Sequence, residues 1–439
     1  MYRTEEEISE KLIIKMINRY ERDYGKRFLK LQQYYENDTA ILSRASISDG
    51  KINNKLANAY SGYITDMATG YFIGKPVTYS ATNNDFMKEI QDLLDYTDEQ
   101  EHNLEVAKQT SIKGRCFEIV YLDAKDFDKN KRPRLRVAKV QAEQMLCVYD
   151  YALSPEIRFA IRWYDYETGE KKIRKIEVYT ASEIRYYTKN GSSLLLEDTV
   201  QHFFGMVPVI EFWNNEEKQG DFEKVITLID AYDKAGSDSM NNLEYFANCY
   251  MYLIGMDETD ESDIEKMRKL RVLLLKEKGE AGFLQKQSNF EETKYISERL
   301  DNDIHKFSMV PNLSDENFAG NSSGIAMLYK LLGLEQLAVK KERKFKKSLQ
   351  RRLEIICRYL NFLGNNYDWR DIDIKFQRNL PVNDKENVEI VTMLQNIVSK
   401  QTALSHLKII DNVQTELEKI EEEKAAYVDL DGVSYESTE

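Results

Sequence analysis

The spacing of apolar residues in this chain changes twice, and that change constrains the fold more than any single motif. Up to Lys113 they recur every three or four positions, and between Arg115 and Phe212 they form short β-branched and aromatic runs. Beyond Phe222 the helical spacing returns. A helical period of 3.6 and a strand period of 2 belong to different elements, so the chain reads as α+β with its strands gathered in the middle. The opening stripe of Ile8, Leu12, Met16, Tyr20, Tyr24, Phe28, Leu31 and Tyr35 draws one face of a long helix. Asn53 is placed to cap a second helix over residues 54–71, with Leu56, Tyr60, Tyr63, Ile64, Met67 and Tyr71 on one side. Two more helical patterns cover residues 85–96 and 98–113.

Strand-like runs lie at residues 117–122, 134–140, 159–164, 173–179, 183–187 and 207–212. Turn signals at Thr168-Gly169 and Asn190-Gly191 separate some of them, which predicts one mostly antiparallel sheet. A long helix over residues 222–254 follows, with Val225, Ile229, Tyr232, Met240, Leu243, Phe246, Ala247 and Tyr250 apolar. Its other side, carrying Asp230, Asp233, Asp238, Asn241, Asn242 and Glu244, reads as an acidic face. Residues 255–290 form a small mixed unit, with a helix near 261–270 and strands near 272–275 and 281–284. A helix over 292–309 is stopped by Pro311, and a polar loop runs from there to Gly324. The next long helix begins near Ile325 and carries Leu337, Phe345, Leu349, Leu353, Ile356 and Leu360. Two shorter helices, at 383–399 and 405–426, precede an acidic tail.

Few chemistries survive inspection. A net charge of -13 counts against tight binding of nucleic acid, which relies on clustered Lys and Arg. No apolar run is long enough to span a membrane, and the polar, acidic first ten residues lack the pattern of a secretory signal. Cys116, Cys147, Cys249 and Cys357 are far apart with no C-x-x-C pair, which fits a reducing compartment. His102, His202, His305 and His406 have no second ligand at metal spacing, so neither metal nor cofactor is expected. The stretch Gly70 to Pro76 is no phosphate loop, because Pro76 stands where Ser or Thr would bind magnesium and open a helix. It reads as a tight turn from helix to strand.

One basic concentration stands out: Lys340, Lys341, Arg343, Lys344, Lys346 and Lys347, followed by Arg351 and Arg352. It is the wet face of a helix whose dry face holds Phe345 and Leu349, a partner for acidic neighbours in an oligomer, or a contact for DNA phosphates.

Five stretches in one order resemble the portal proteins of long-tailed bacteriophages. They are Lys51-Ile52-Asn53-Asn54-Lys55-Leu56 leading to Gly70 through Val77; Val207 through Phe212; Leu228 through Tyr232; Ser237-Asp238 with Asn241 and Asn242; and Pro311 through Phe318 running into Ser323-Gly324-Ile325-Ala326 and Leu331 through Glu335. The resemblance implies a mostly helical portal fold with a wing over residues 1–221, stem helices over 222–254 and 291–309, and a clip between them over 255–290. A tunnel loop over 310–324, a long wing helix and connection over 325–381, a crown over 382–428 and an acidic tail over 429–439 complete it. The last hundred residues resemble the family only in being helical and charged.

Such portals are rings of about twelve subunits at one capsid vertex of the virion, assembled in the host cytoplasm, and are not enzymes. The resemblance implies sequence-independent passage of double-stranded DNA, and docking to the terminase large subunit, head-completion or adaptor proteins, and major capsid and scaffolding proteins. Asn312, Ser314, Asn317, Phe318, Asn321, Ser322 and Ser323 of the tunnel loop would touch DNA. An acidic ring would hold the duplex loosely enough for it to slide. A phage-encoded metal-dependent nuclease and a structural adaptor that forms no ring are the alternative readings.

Overall fold

The computed structural model describes residues 2–45, 52–127, 133–168, 171–247, 251–254, 260–270, 280–283, 290–313 and 324–379, with short pieces between 392 and 421. The chain divides into two units, Met1–Arg378 and Asn379–Glu439. Most of the predicted crown and all of the acidic tail lie outside the described residues.

The opening stripe folds as α1 (Glu10–Tyr20), a π-helical turn over Glu21–Gly25, and α2 (Lys26–Tyr35). Ser9 starts α1 by accepting the N–H of Leu12 at 3.3 Å. Steps of four residues would drift roughly 40° around a regular helix at each step. The wider π turn absorbs that drift, so Tyr20, Tyr24 and Phe28 stay together with ring centroids 5.1 and 5.7 Å apart. Beyond the turn Tyr34 is buried in place of the expected Tyr35.

Where one sheet was expected there are two main ones. β1 (Tyr2–Arg3), β5 (Met145–Tyr149), β6 (Ile157–Thr168), β7 (Lys171–Tyr179), β8 (Glu183–Asn190) and β9 (Ser193–Gln201) form a six-stranded sheet in the order β1-β5-β6-β7-β8-β9. All its pairings are antiparallel except β1 with β5. A three-stranded antiparallel sheet has the order β10 (Val209–Trp213), β3 (Arg115–Phe127), β4 (Pro133–Val140). Strand alternation puts Val148, Phe159, Ile161, Trp163, Ile176 and Val178 under α1, in a core with Leu12, Ile13, Met16 and Tyr20. The other face gives Met145, Cys147, Ala160 and Tyr179 to a second core shared with Phe117, Ile119 and Val209. The larger sheet is thus covered by a helix on one side and by the smaller sheet on the other.

Three further helices pack here: α3 (Tyr60–Ile73), α4 (Asn84–Tyr96) and α5 (Glu99–Lys113). The expected cap at Asn53 is overturned: α3 starts six residues later than predicted, and the Asn53 side chain donates to the Arg44 carbonyl instead. The turn expected over Gly70 to Pro76 is shorter than predicted: Gly70 to Ile73 still belong to α3, and the chain turns only after Ile73 before the short strand β2 (Thr78–Ser80). The helix expected over 222–254 is α6 (Ile226–Ala247) alone. Residues Met251–Ile254 form β11, which pairs antiparallel with β12 (Glu280–Phe283), and α7 (Glu261–Leu270) lies between the two in sequence. The small unit therefore begins earlier than its composition suggested, because the aromatic and aliphatic run Tyr252-Leu253-Ile254 finds a strand partner. Residues 272–275, expected as a strand, lie outside the described residues.

α8 (Phe290–Ser308), α9 (Gly324–Lys330) and α10 (Leu332–Phe362) follow, and β13 (Asp373–Lys375) pairs with β2. In the second unit α11 (Lys400–Ser405) is capped by Ser399, whose hydroxyl accepts the N–H of Thr402.

Candidate functional site

α6 does not present a simple acidic face. Asp233, Ser237 and Asn241, four residues apart on one side, accept the backbone N–H groups of Asn58, Leu56 and Asn54 at 2.9, 2.9 and 2.7 Å. Alternate N–H groups of an extended segment point one way, so a helix offering acceptors one turn apart can hold it like a sheet edge. This is why residues 54–58 do not join α3. Asp233 and Ser237 are fully buried, while Met240 and Leu243, expected to face inward, are exposed. Asp233 also accepts from the Asn58 amide at 2.8 Å and from Thr39 at 2.7 Å.

Asp233→Ala orphans these donors and should lower unfolding stability by about 2–4 kcal/mol in denaturant titration. Asp233→Asn, which keeps one acceptor oxygen, should lose less than half of that. Equal losses in the two variants would show that the acceptor is not what matters.

The polar loop leaves α8 at a clamp. Met309 turns the chain with a φ of 63°, and Val310 is buried. The Tyr63 hydroxyl donates to the Pro311 carbonyl at 2.8 Å and accepts the N–H of Leu313 at 3.1 Å. The His305 ring lies edge-on to Tyr60 and Tyr63, and its Nδ1 meets the Val310 carbonyl at 2.9 Å. Tyr60 donates to Asp301 at 2.5 Å, and burial together with that hydrogen bond raises its pKa well above the ordinary value. The returning foot meets the departing one, since a Cβ on Gly333 would lie 3.2 Å from the Met309 carbonyl oxygen. Glu335, two residues on, accepts from Tyr71 at 2.6 Å and from Arg378. The loop is closed at its base in the manner of an Ω-loop. Of its expected DNA contacts, Asn312 sits at the clamp, whereas Ser314, Asn317, Phe318, Asn321, Ser322 and Ser323 lie outside the described residues.

The basic run divides on α10. Lys341 is buried and pairs with Asp221, which also takes hydrogen bonds from Ser111 and Asn214. It is therefore not available to DNA or to a neighbouring subunit: its ammonium offsets a buried carboxylate. Lys344 pairs with Glu216, and Lys346 donates to the Ile374 carbonyl at 2.8 Å. Lys340, Arg343 and Lys347 are exposed and make no ion pair among the described residues. Arg351 donates to the Val209 and Val207 carbonyls, tying α10 to β10.

A model of the SPP1 Gp6-like phage portal protein family matches residues 14–429. The chain belongs to that family. It is 27% identical over 428 residues to the portal protein of Bacillus phage SPP1, covering 92% of this chain and 82% of the relative. With the portal protein of Clostridium phage phiCD119 it shares 27% identity over 419 residues, 89% of this chain and 91% of the other. The neck of an empty GTA particle computed with C6 symmetry aligns at 14% identity, over 80% of this chain and 90% of that one, with a TM-score of 0.47. The family is structural, and membership in it does not favour the nuclease reading.

The stretches that carried the resemblance turn out to be structural joints of the portal chain. Asn54 and Leu56 belong to the held segment, Ser237 and Asn241 are its acceptors, and Pro311, Leu313 and Gly333 close the loop. Among the described residues no cluster of His, Cys, Asp and Glu could hold a metal ion. A group that the sequence reading missed lies in the core of the first unit: Arg352, fully buried, binds Glu118 through Nε and Nη2 at 2.8 and 2.5 Å. Its Nη1 reaches Glu99 and Asn103 at 2.8 and 2.9 Å. The signal was present, because Arg352 falls three residues after Leu349 and four before Ile356 on the dry face of α10.

Proposed function

We propose that the chain is one subunit of a closed ring of about twelve copies that conducts double-stranded DNA without reading its sequence and without catalysis of its own. α6 and α8 act as the stem, residues 251–290 as the clip, and residues 1–221 together with α10 as the wing. The loop after Val310 serves as the collar on the DNA, and residues beyond 382 form the crown. The terminase large subunit and head-completion or adaptor proteins dock at the clip, and the wing meets the major capsid and scaffolding proteins. The observation that carries this reading is the closed base of the loop, where Tyr63 holds Pro311 and Leu313 and Gly333 abuts Met309. Fixed feet let the segment between them touch a moving duplex without dragging the stem helices along.

The loop has Asn and Ser but no Lys or Arg, so its contacts with phosphates release few counterions and break readily. Replacing Asn321, Ser322 and Ser323 together by tyrosine, or deleting them, should leave a ring of unchanged mass by native mass measurement while DNA packaging fails. Normal packaging by both variants would overturn the collar.

A further inference from the structure

Two helices of this chain each carry a ridge of three exposed charges of one sign in matching positions, with Asp95 a further exposed carboxylate on the first of them. On α4 the buried residues Phe86, Ile90 and Leu94 hold the helix down, which leaves Asp85, Glu89 and Asp92 facing solvent. On α10 the residues Lys340, Arg343 and Lys347 stand away from the core side held by Phe345 and Leu349. Counting up from Asp85, the carboxylates come after four and then three residues. Counting down from Lys347, the cations come after four and then three residues. At about 1.5 Å of rise per residue, two helices laid antiparallel bring all three pairs level at once: Asp85 with Lys347, Glu89 with Arg343, and Asp92 with Lys340.

Within one chain none of these six groups has an ion pair among the described residues, although the ion pairs of their neighbours are plain. Glu89 accepts a hydrogen bond from the neutral Asn365 amide at 3.3 Å, which leaves its charge uncompensated. Glu216, which feels the field of Lys347, is already taken by Lys344. Lys88 is the one cation on the exposed side of α4, and it does not cancel three carboxylates.

We propose that α4 of one copy docks antiparallel on α10 of the next. The contact joins two different surfaces, so it repeats head to tail as a ring requires, whereas a self-complementary patch would stop at a dimer. It also sets opposite charges against each other at every junction of copies that each carry -13. This docking rests on the ring reading and adds the surfaces that meet.

The test uses the full chain in two forms. One carries Lys340→Glu, Arg343→Glu and Lys347→Glu, so both ridges are acidic; the other carries Asp85→Lys, Glu89→Lys and Asp92→Lys, so both are basic. Each alone should need a concentration at least about tenfold higher to assemble, read by light scattering at low salt, while circular dichroism and melting stay like those of the unchanged chain. Mixed in equal amounts they should assemble near the unchanged concentration, because alternating copies restore every junction. Assembly of either variant alone like the unchanged chain overturns the docking, as does a mixture of folded variants that stays unassembled. An unchanged chain that never assembles sinks the ring itself, and the docking with it.

Discussion

Replacing Arg352 by leucine will destabilise the protein by about 3–5 kcal/mol, because it leaves the buried carboxylates of Glu118 and Glu99 without a cation. Both acids are almost completely buried, and both depend on this guanidinium. Tyr79 donates to Glu99 at 2.5 Å and His102 lies 2.7 Å from Glu118, but neither replaces a fixed positive charge. Burial pushes the Glu118 pKa up. The charges and hydrogen bonds of Arg352 and His102 outweigh that and hold it at about 2.

The sign of the pH dependence follows. A folded value below the unfolded one, about 4.3 for Glu, gives stability that is present above the unfolded value and is lost as pH falls towards 2. In Arg352→Leu that depression disappears, so Glu118 should take up a proton at a higher pH and acid unfolding should begin earlier. Pairing Arg352→Leu with Glu118→Gln should recover part of the loss in a double-mutant cycle. Denaturant titrations at neutral and acid pH read both effects. A loss within about 0.5 kcal/mol would mean that the network contributes nothing beyond packing.

Strands whose apolar residues are broken up by charged ones announced themselves in the sequence, and a strand without such residues did not. β6 and β7 are buried on both faces at their centres but keep Arg162 and Glu177 between apolar neighbours, while β5 is Met-Leu-Cys-Val-Tyr with all five residues buried, which erases any alternation. β9 failed for the opposite reason, since Leu194, Leu195 and Leu196 run together and only the first is buried on this edge strand. The polar side of α6 was misassigned because Asp233 and Asn241 were read as part of an acidic face and Ser237 was given no place on it. Here they serve as hydrogen-bond acceptors for backbone that lies nearly two hundred positions away in sequence. The limits of the loop were legible from Pro311 and Gly324, but the clamp of Tyr60, Tyr63 and His305 was not, because it joins α3 to α8 across more than two hundred residues. Spacing along one helix carries no signal for such a partner. The basic run likewise read as a single patch, and only the fold separates buried Lys341 from exposed Lys340, Arg343 and Lys347.

Gly114→Ala should cost about as much as the loss of Arg352, for reasons of backbone alone. Gly114 ends α5 in the left-handed region with a φ of 80°, and a Cβ there would lie 2.0 Å from the Lys218 carbonyl oxygen. That oxygen belongs to a turn that cannot retreat. Gly220 in the same turn already leaves only 2.3 Å between its own notional Cβ and the Ile112 carbonyl, and Asp221 donates its N–H to Ser111 at 2.8 Å. The two glycines let the segments 111–114 and 218–221 run against each other, and this contact seats Asp221 beneath Lys341. Gly191→Ala is the control: its φ of 61° is also left-handed, but nothing lies within 4 Å of the added carbon. Conformation alone should make Gly191→Ala lose about 1–2 kcal/mol. Gly114→Ala adds a backbone collision and should lose about 3–5 kcal/mol in denaturant titration. Equal losses at the two positions would mean that the turn over 218–221 yields without cost. If the turn is displaced as expected, Asp221 leaves Lys341 as a buried cation without a partner. The part of α10 that carries Lys340, Arg343 and Lys347 then loses its seat, so assembly should fall along with stability.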